Sequence, residues 1–212
     1  MIVVSVNVGV AQPLIAKNKV VQTGIFKRPL EGLVQVLQYG LAGDERVDHS
    51  HRGALERAVY AYPSEHYDKW RTELPRMNLP FGTFGENLAT EGILDEDVFI
   101  GDRYQVGSAV VTVTQPRMPC YKLAARLDRS DIIDSLIASR RHGFFFSVSE
   151  EGTISAGDSI RLLHRDPASV SIIDIVSLYV GRNNEPQLMQ RAMALEALPP
   201  KWKSKFAQRA SA

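Results

Sequence analysis

A single cysteine in 212 residues means that the chain forms no internal disulfide, builds no structural zinc site from several thiolates and ligates no iron–sulfur cluster. Net charge is also nearly absent. Lys and Arg number 25 against 24 Asp and Glu, a formal balance of +1, so no global basic field marks a nucleic-acid polymer as the partner. No apolar run approaches the roughly 18 residues that span a bilayer. The longest candidates are short, strand-like stretches such as Ile2 to Val6 and Ala109 to Val113. The amino terminus lacks the basic start, apolar stretch and small-residue cleavage site of a secretory signal. No Gly-x-Gly-x-x-Gly follows a strand, and haem-attachment cysteines, internal repeats and low-complexity stretches are missing as well. These absences lead us to expect a cytoplasmic protein that handles a small molecule, with no membrane partner.

What is there, at 44% hydrophobic residues, is enough for one packed core and a small appendage. Short β-rich runs recur at Ile2 to Val6, Leu33 to Leu37, Ala58 to Tyr62, Val98 to Ile100, Arg103 to Val106, Ala109 to Thr114, Phe144 to Val148 and Ile160 to Leu163. Gly101-Asp102, Gly107-Ser108, Glu151-Gly152 and Gly157-Asp158 fall between runs, where tight turns need such residues. The pattern predicts a mainly β, barrel-like fold with helices. One helix is expected from Ser64, as cap, to about Leu74, and another from a Ser130 cap to Gly143. From about Ser169 the spacing turns helical: one segment is capped by Ser171 and ends at Gly181, a second is capped by Asn184, and a third pairs Trp202 with Phe206. The expected division is a β domain over residues 1–168 and a three-helix domain over 169–212.

The richest chemistry lies in Thr114-Gln115-Pro116-Arg117-Met118-Pro119-Cys120-Tyr121-Lys122-Leu123. Each proline pushes its predecessor out of the α region, so the exit from the strand should be extended and stiff, presenting Cys120 on a preorganised loop. Arg117 and Lys122 favour the thiolate, which is both nucleophile and metal ligand. The alternative is a small buried hydrophobe. In Phe81-Gly82-Thr83-Phe84-Gly85-Glu86-Asn87-Leu88, glycines let a backbone approach a ligand, and Glu86 and Asn87 are placed to read a heterocycle; a plain loop is the alternative. Between Gly43 and Val59, His49 and His51 with Asp44 or Asp48 make a weak candidate metal set, while Arg52 and Arg57 are stronger anion holders. Gln22-Thr23-Gly24-Ile25-Phe26-Lys27-Arg28 adds a hydroxyl, a glycine turn and two cations.

In order and content these stretches resemble the MOSC domain family, and within it the YiiM-like subfamily: Thr23 to Lys27, Gly43-Asp44-Glu45, Ala58 to Pro63 with Glu65-His66-Tyr67, Phe84 to Leu88, and Gln115-Pro116-Arg117-x-Pro119-Cys120-x-Lys122-Leu123. The resemblance runs over nearly the whole chain. It implies a MOSC-type β-barrel with a small carboxy-terminal three-helix domain, handling the molybdenum cofactor. Cys120 would be the molybdenum ligand and catalytic cysteine, or a sulfur carrier. Thr23, Gly24, Lys27, Arg52, Gly85, Glu86, Asn87, Arg117 and Lys122 would bind the cofactor, and Arg52, Arg117 and the Gly85–Asn87 loop should meet at one pocket with Cys120. Where the subfamily shows His-Gly-Gly-x-Asp, this chain has Arg52-Gly53-Ala54-Leu55-Glu56, and an arginine exchanges no proton near neutral pH.

The implied activity is reduction of N-hydroxylated bases or related compounds. Such a reduction takes two electrons, which one thiol cannot store. Molybdenum with soft sulfur ligands suits the task, and the electrons would come from a separate reductase protein. The other reading is a carrier that holds cofactor or persulfide on Cys120 without turnover. A second copy of the chain is a further candidate partner.

Overall fold

The structure is a computed structural model, and it describes residues 1–45, 47 and 55–210. The chain opens with β1 (Ile2–Val8), β2 (Gln12–Ala16), β3 (Lys19–Thr23), β4 (Arg28–Pro29), β5 (Val34–Leu37) and β6 (Gly40–Leu41). A 3₁₀ turn, η1 (Leu55–Arg57), leads into β7 (Val59–Pro63), helix α1 (Ser64–Glu73) and β8 (Leu88–Glu91). Then come β9 (Arg103–Val106), β10 (Ala109–Pro116), α2 (Tyr121–Leu127), α3 (Ile132–Ser139), β11 (Phe144–Glu150), β12 (Gly152–Ile154) and β13 (Ile160–His164). Helices α4 (Ile172–Val180), α5 (Pro186–Ala194) and α6 (Pro200–Ala210) follow. Among the described residues no helix is long and apolar enough to cross a membrane.

Eight strands form one sheet in the order β13-β9-β10-β11-β7-β8-β1-β4. Every pair is antiparallel except β7 against β8, where α1 supplies the crossover that a parallel pair requires. The sheet curls until β1 meets the chain entering β13. Ile2 and Ser159 share an isolated bridge, while the Val3 N–H donates to Asp158 O and the Ile160 N–H to Met1 O, both at 2.9 Å. The expected barrel is therefore found as a curled, sheet-dominated fold with one bridge across its seam, not as a closed ladder.

Strand β7 divides the interior. Because side chains alternate across a strand, Val59 and Ala61 enter the large aliphatic core of the sheet, whereas Tyr60 and Tyr62 enter a second, aromatic core. That second core joins Tyr67 and Trp70 of α1 to Phe84, Leu123 of α2 and Leu136 of α3. The first core continues without a break into the last three helices: Val111 and Val113 of β10 belong to the same cluster as Leu178, Leu188, Trp202 and Phe206.

Several expected elements differ. Val98–Ile100 is no strand; its Phe99 makes only an isolated bridge to Ser171. Ser64 begins α1 rather than capping it, because the extended Pro63 holds the cap position without a side-chain bond. Asp131, not Ser130, precedes α3, which stops at a left-handed Arg140 rather than at Gly143. Glu185 replaces Asn184 as the cap of α5, and Pro186 takes the first helical position, where no N–H is needed. Ser171 does cap α4, in a reciprocal capping box with Asp174, and Gly181 ends it at φ 78°. The β2–β3 hairpin, β8 and α2 carry no corresponding expectation.

Candidate functional site

Strand β10 delivers the cysteine. Beyond Pro116 the chain is clamped by its neighbour: the Arg117 N–H donates to Gly143 O at 3.1 Å, and His142 Nδ1 lies 3.3 Å from Arg117 O, so it donates there. Gly143, at φ 63°, lets its chain pass close to β7, because a Cβ there would sit 2.4 Å from Ala61 O. Cys120, half-buried and extended at φ −132° and ψ 164°, is the residue on which α2 starts. The expected stiff exit is present, but it feeds a helix rather than a longer loop.

Burial alone would push the Cys120 thiol up. The positive charge of Arg117 and the backbone N–H groups of Leu123 and Lys122 outweigh that and hold it below its ordinary value. Arg117 Nη2 lies 3.9 Å from Sγ, and the guanidinium is steered by stacking over Tyr60, 5.3 Å from the ring centroid. Tyr60 is fixed in turn by donating to His142 O at 2.9 Å. Behind it Asp95 accepts from the N–H groups of His142 (3.0 Å) and Gly143 (2.7 Å), and its other oxygen lies 2.6 Å from His66 Nε2.

Cys120 opens onto a cavity of about 240 Å³. Of the residues singled out from the sequence, Thr23, Gly24, Lys27, Gly85, Asn87, Arg117 and Lys122 share its wall. Arg57, read as an anion holder, lies there too. Arg52, His49, His51 and Asp48 fall outside the described residues.

Glu86 is a correction. It is fully buried and does not reach the cavity; its carboxylate accepts from Tyr67 Oη and the Gly82 N–H. Burial raises the Glu86 carboxyl above its ordinary value against the pull of those donors. Nor is the Asn87 amide available to read a heterocycle. Its Oδ1 accepts from the Tyr60 N–H at 3.1 Å, and its Nδ2 donates to Asn7 O at 3.3 Å and to Asp44 Oδ2 at 3.0 Å. Asp44 is used up likewise, paired with Lys27 and accepting from the Gly9 N–H at 2.9 Å. Among the described residues no group of three His, Cys, Asp or Glu is placed to hold a metal ion. Asp44, read as a weak metal candidate, is in the wall with Ile25, Glu45 and Val47, and so are Tyr60 and Phe145, to which the sequence reading gave no role. Tyr60 and Phe145 sit in strand runs whose alternation says only that one face is covered, not by what.

A family model described as the MOSC domain matches residues 48–161, and one described as the YiiM-like, 3-alpha helix domain matches residues 170–211. The Bacillus subtilis protein YflK is 34% identical over 204 residues, covering 96% of this chain and 92% of its own length. A Gibberella moniliformis protein named a reductase is 34% identical over 178 residues, 82% of this chain but 32% of its own. The crystal structure of YiiM from Geobacillus stearothermophilus aligns with a TM-score of 0.82 at 31% identity, covering 98% of this chain and 97% of that one.

Proposed function

The chain belongs to the MOSC domain family, in the branch with the YiiM-like three-helix domain, and from that premise we propose that it is a cytoplasmic molybdenum-cofactor enzyme reducing N-hydroxylated bases or related small molecules. One observation carries the reading: a thiol held below its ordinary value at the wall of a cavity that it shares with Arg57, Arg117 and Lys122. These residues fit the group. A soft thiolate suits molybdenum, and guanidinium and ammonium groups suit the phosphate and oxo oxygens of its cofactor. The reductase name of the Gibberella relative favours turnover over simple carriage.

When bound, the cofactor supplies a two-electron couple beside the substrate. The chain's own residues then divide the work. Cys120 Sγ would hold the metal, Arg117 would favour the ionised form of that sulfur, and Arg57 and Lys122 would hold anionic oxygens of the cofactor. Thr23 and Gly24 line the same cavity, and Asn87 with Asp44 fixes Lys27. Overall the substrate N–O bond breaks, two electrons and two protons enter, and water leaves. The electrons come from a separate flavin or iron–sulfur reductase, because the chain carries no dinucleotide fingerprint and no cluster ligands.

The test is to purify the protein from cells that make the cofactor, and to measure molybdenum and the reduction of a hydroxylamino substrate with and without such a reductase. We expect stoichiometric molybdenum, turnover only when the reductase is added, and loss of both in Cys120→Ser with little change in melting temperature. Molybdenum retained by Cys120→Ser, or none in the wild type, would sink the assignment.

A further inference from the structure

Gln115 lies just before the Pro116–Cys120 segment, is 1% exposed, and has both ends of its amide engaged. Its Oε1 accepts from Trp202 Nε1 of α6 at 2.9 Å, and its Nε2 donates to Glu56 O at 3.4 Å. Thr114 Oγ1 donates to the same carbonyl at 2.5 Å. Glu56 is the middle residue of η1, a single turn with no buried residue of its own, so these bonds tie it to β10. The next residue, Arg57, stands at the cavity wall.

The other end of this connection is rigid. Trp202 is 3% exposed, its ring 4.9 Å from Tyr179 and 6.3 Å from Phe206. The first turn of α6 also faces η1: burial first, then the charge of Arg57, holds Lys201 below its ordinary value, with Glu56 opposing. Packing α6 onto the sheet needs only an apolar ring at position 202. The indole N–H instead meets a glutamine of the cysteine-bearing strand.

We propose that the carboxy-terminal helices are a working part of the cavity, with Trp202 and Gln115 as positioning residues that set Arg57 at its anion-binding wall through the Glu56 carbonyl. The inference rests on the reading above only in that the cavity takes an anion.

The test uses the full-length protein without cofactor and inorganic phosphate as probe, with affinity measured by NMR titration and folding by thermal melting. Arg57→Ala should bind phosphate more weakly. Trp202→Phe, which keeps the ring and loses the N–H, should weaken binding about fivefold, the worth of one hydrogen bond. Phe206→Leu, which loosens the same helix without touching Gln115, should lower the melting temperature and leave phosphate affinity unchanged. If Trp202→Phe proves too unstable, the double variant Trp202→Phe with Gln115→Met leaves no buried amide unpaired, and it should show the same weakening.

Wild-type affinity in Arg57→Ala would remove the anion-binding reading and this inference with it. Weakening in Arg57→Ala but not in Trp202→Phe, or in the double variant where the single one does not fold, would overturn the positioning role alone. Equal weakening in Phe206→Leu would do the same, reducing Trp202 to packing.

Discussion

At the scale of single residues, the site is set by opposed small effects. Burial pushes the Cys120 thiol up, and only Arg117 together with the Leu123 and Lys122 N–H groups brings it below its ordinary value. Replacing Arg117 with Met removes the charge while keeping an apolar chain over Tyr60, so the thiol should move up from its lowered value. Alkylation of the cofactor-free protein by iodoacetamide at pH 7 should slow accordingly; an unchanged rate would mean that the backbone N–H groups alone hold the thiolate. Glu86 poses the converse case. Its folded-state value is raised, so the stability it contributes is fully present below the ordinary carboxyl value of about 4.3 and is lost as pH rises through the raised one. Glu86→Gln keeps an acceptor for Tyr67 and Gly82 without the ionisation. Its urea midpoint should therefore fall less than that of wild type as pH rises toward neutrality, and parallel curves would refute a buried, titrating carboxyl.

At the scale of elements, much of the site was legible because each motif is local and ends on a residue with a chemical reason to be there. Pro116 and Pro119 announce a stiff exit, and Arg117, Lys122 and Cys120 do share one cavity with Thr23, Gly24, Lys27 and Gly85. The limits were equally physical. Three successive residues of a turn point in different directions, so the sequence could not show that Gly85 and Asn87 face the cavity while Glu86 turns into the aromatic core. The β2–β3 hairpin was missed because Lys17 and Asn18 adopt φ 51° and 58° with no glycine to signal the turn. Nor could alternation along β7 tell which of two cores Tyr60 enters. One element contact makes a sharp prediction. A Cβ on Gly24 would lie 2.2 Å from Glu45 O, two backbones that meet at the cavity wall. Gly24→Ala should cost about 1–3 kcal/mol in urea unfolding, the usual penalty of overpacking, and should weaken ligand binding by spreading that wall. A stability within error of wild type would mean that the loops part freely.

At the scale of the whole molecule, the three carboxy-terminal helices share their apolar core with the sheet instead of closing a core of their own. Truncation after residue 168 would bare the flank of Val111 and Val113 that Leu178, Trp202 and Phe206 help to cover. Such a fragment should lose cooperative melting and bind the dye ANS, as states with exposed apolar surface do; a sharp transition near that of the full chain would show the sheet to be self-sufficient. The seam of the sheet sets a different constraint, one of time. Met1 and Val3 bond to Asp158 and Ile160, the ends of a loop that spans most of the chain. At synthesis rates of about 5–20 residues per second, the first strand waits roughly 8–30 s for that partner to leave the ribosome. Contacts so distant in sequence form late and slowly, so an unpaired β1 edge is the surface that nascent chains of this fold leave for chaperones to guard.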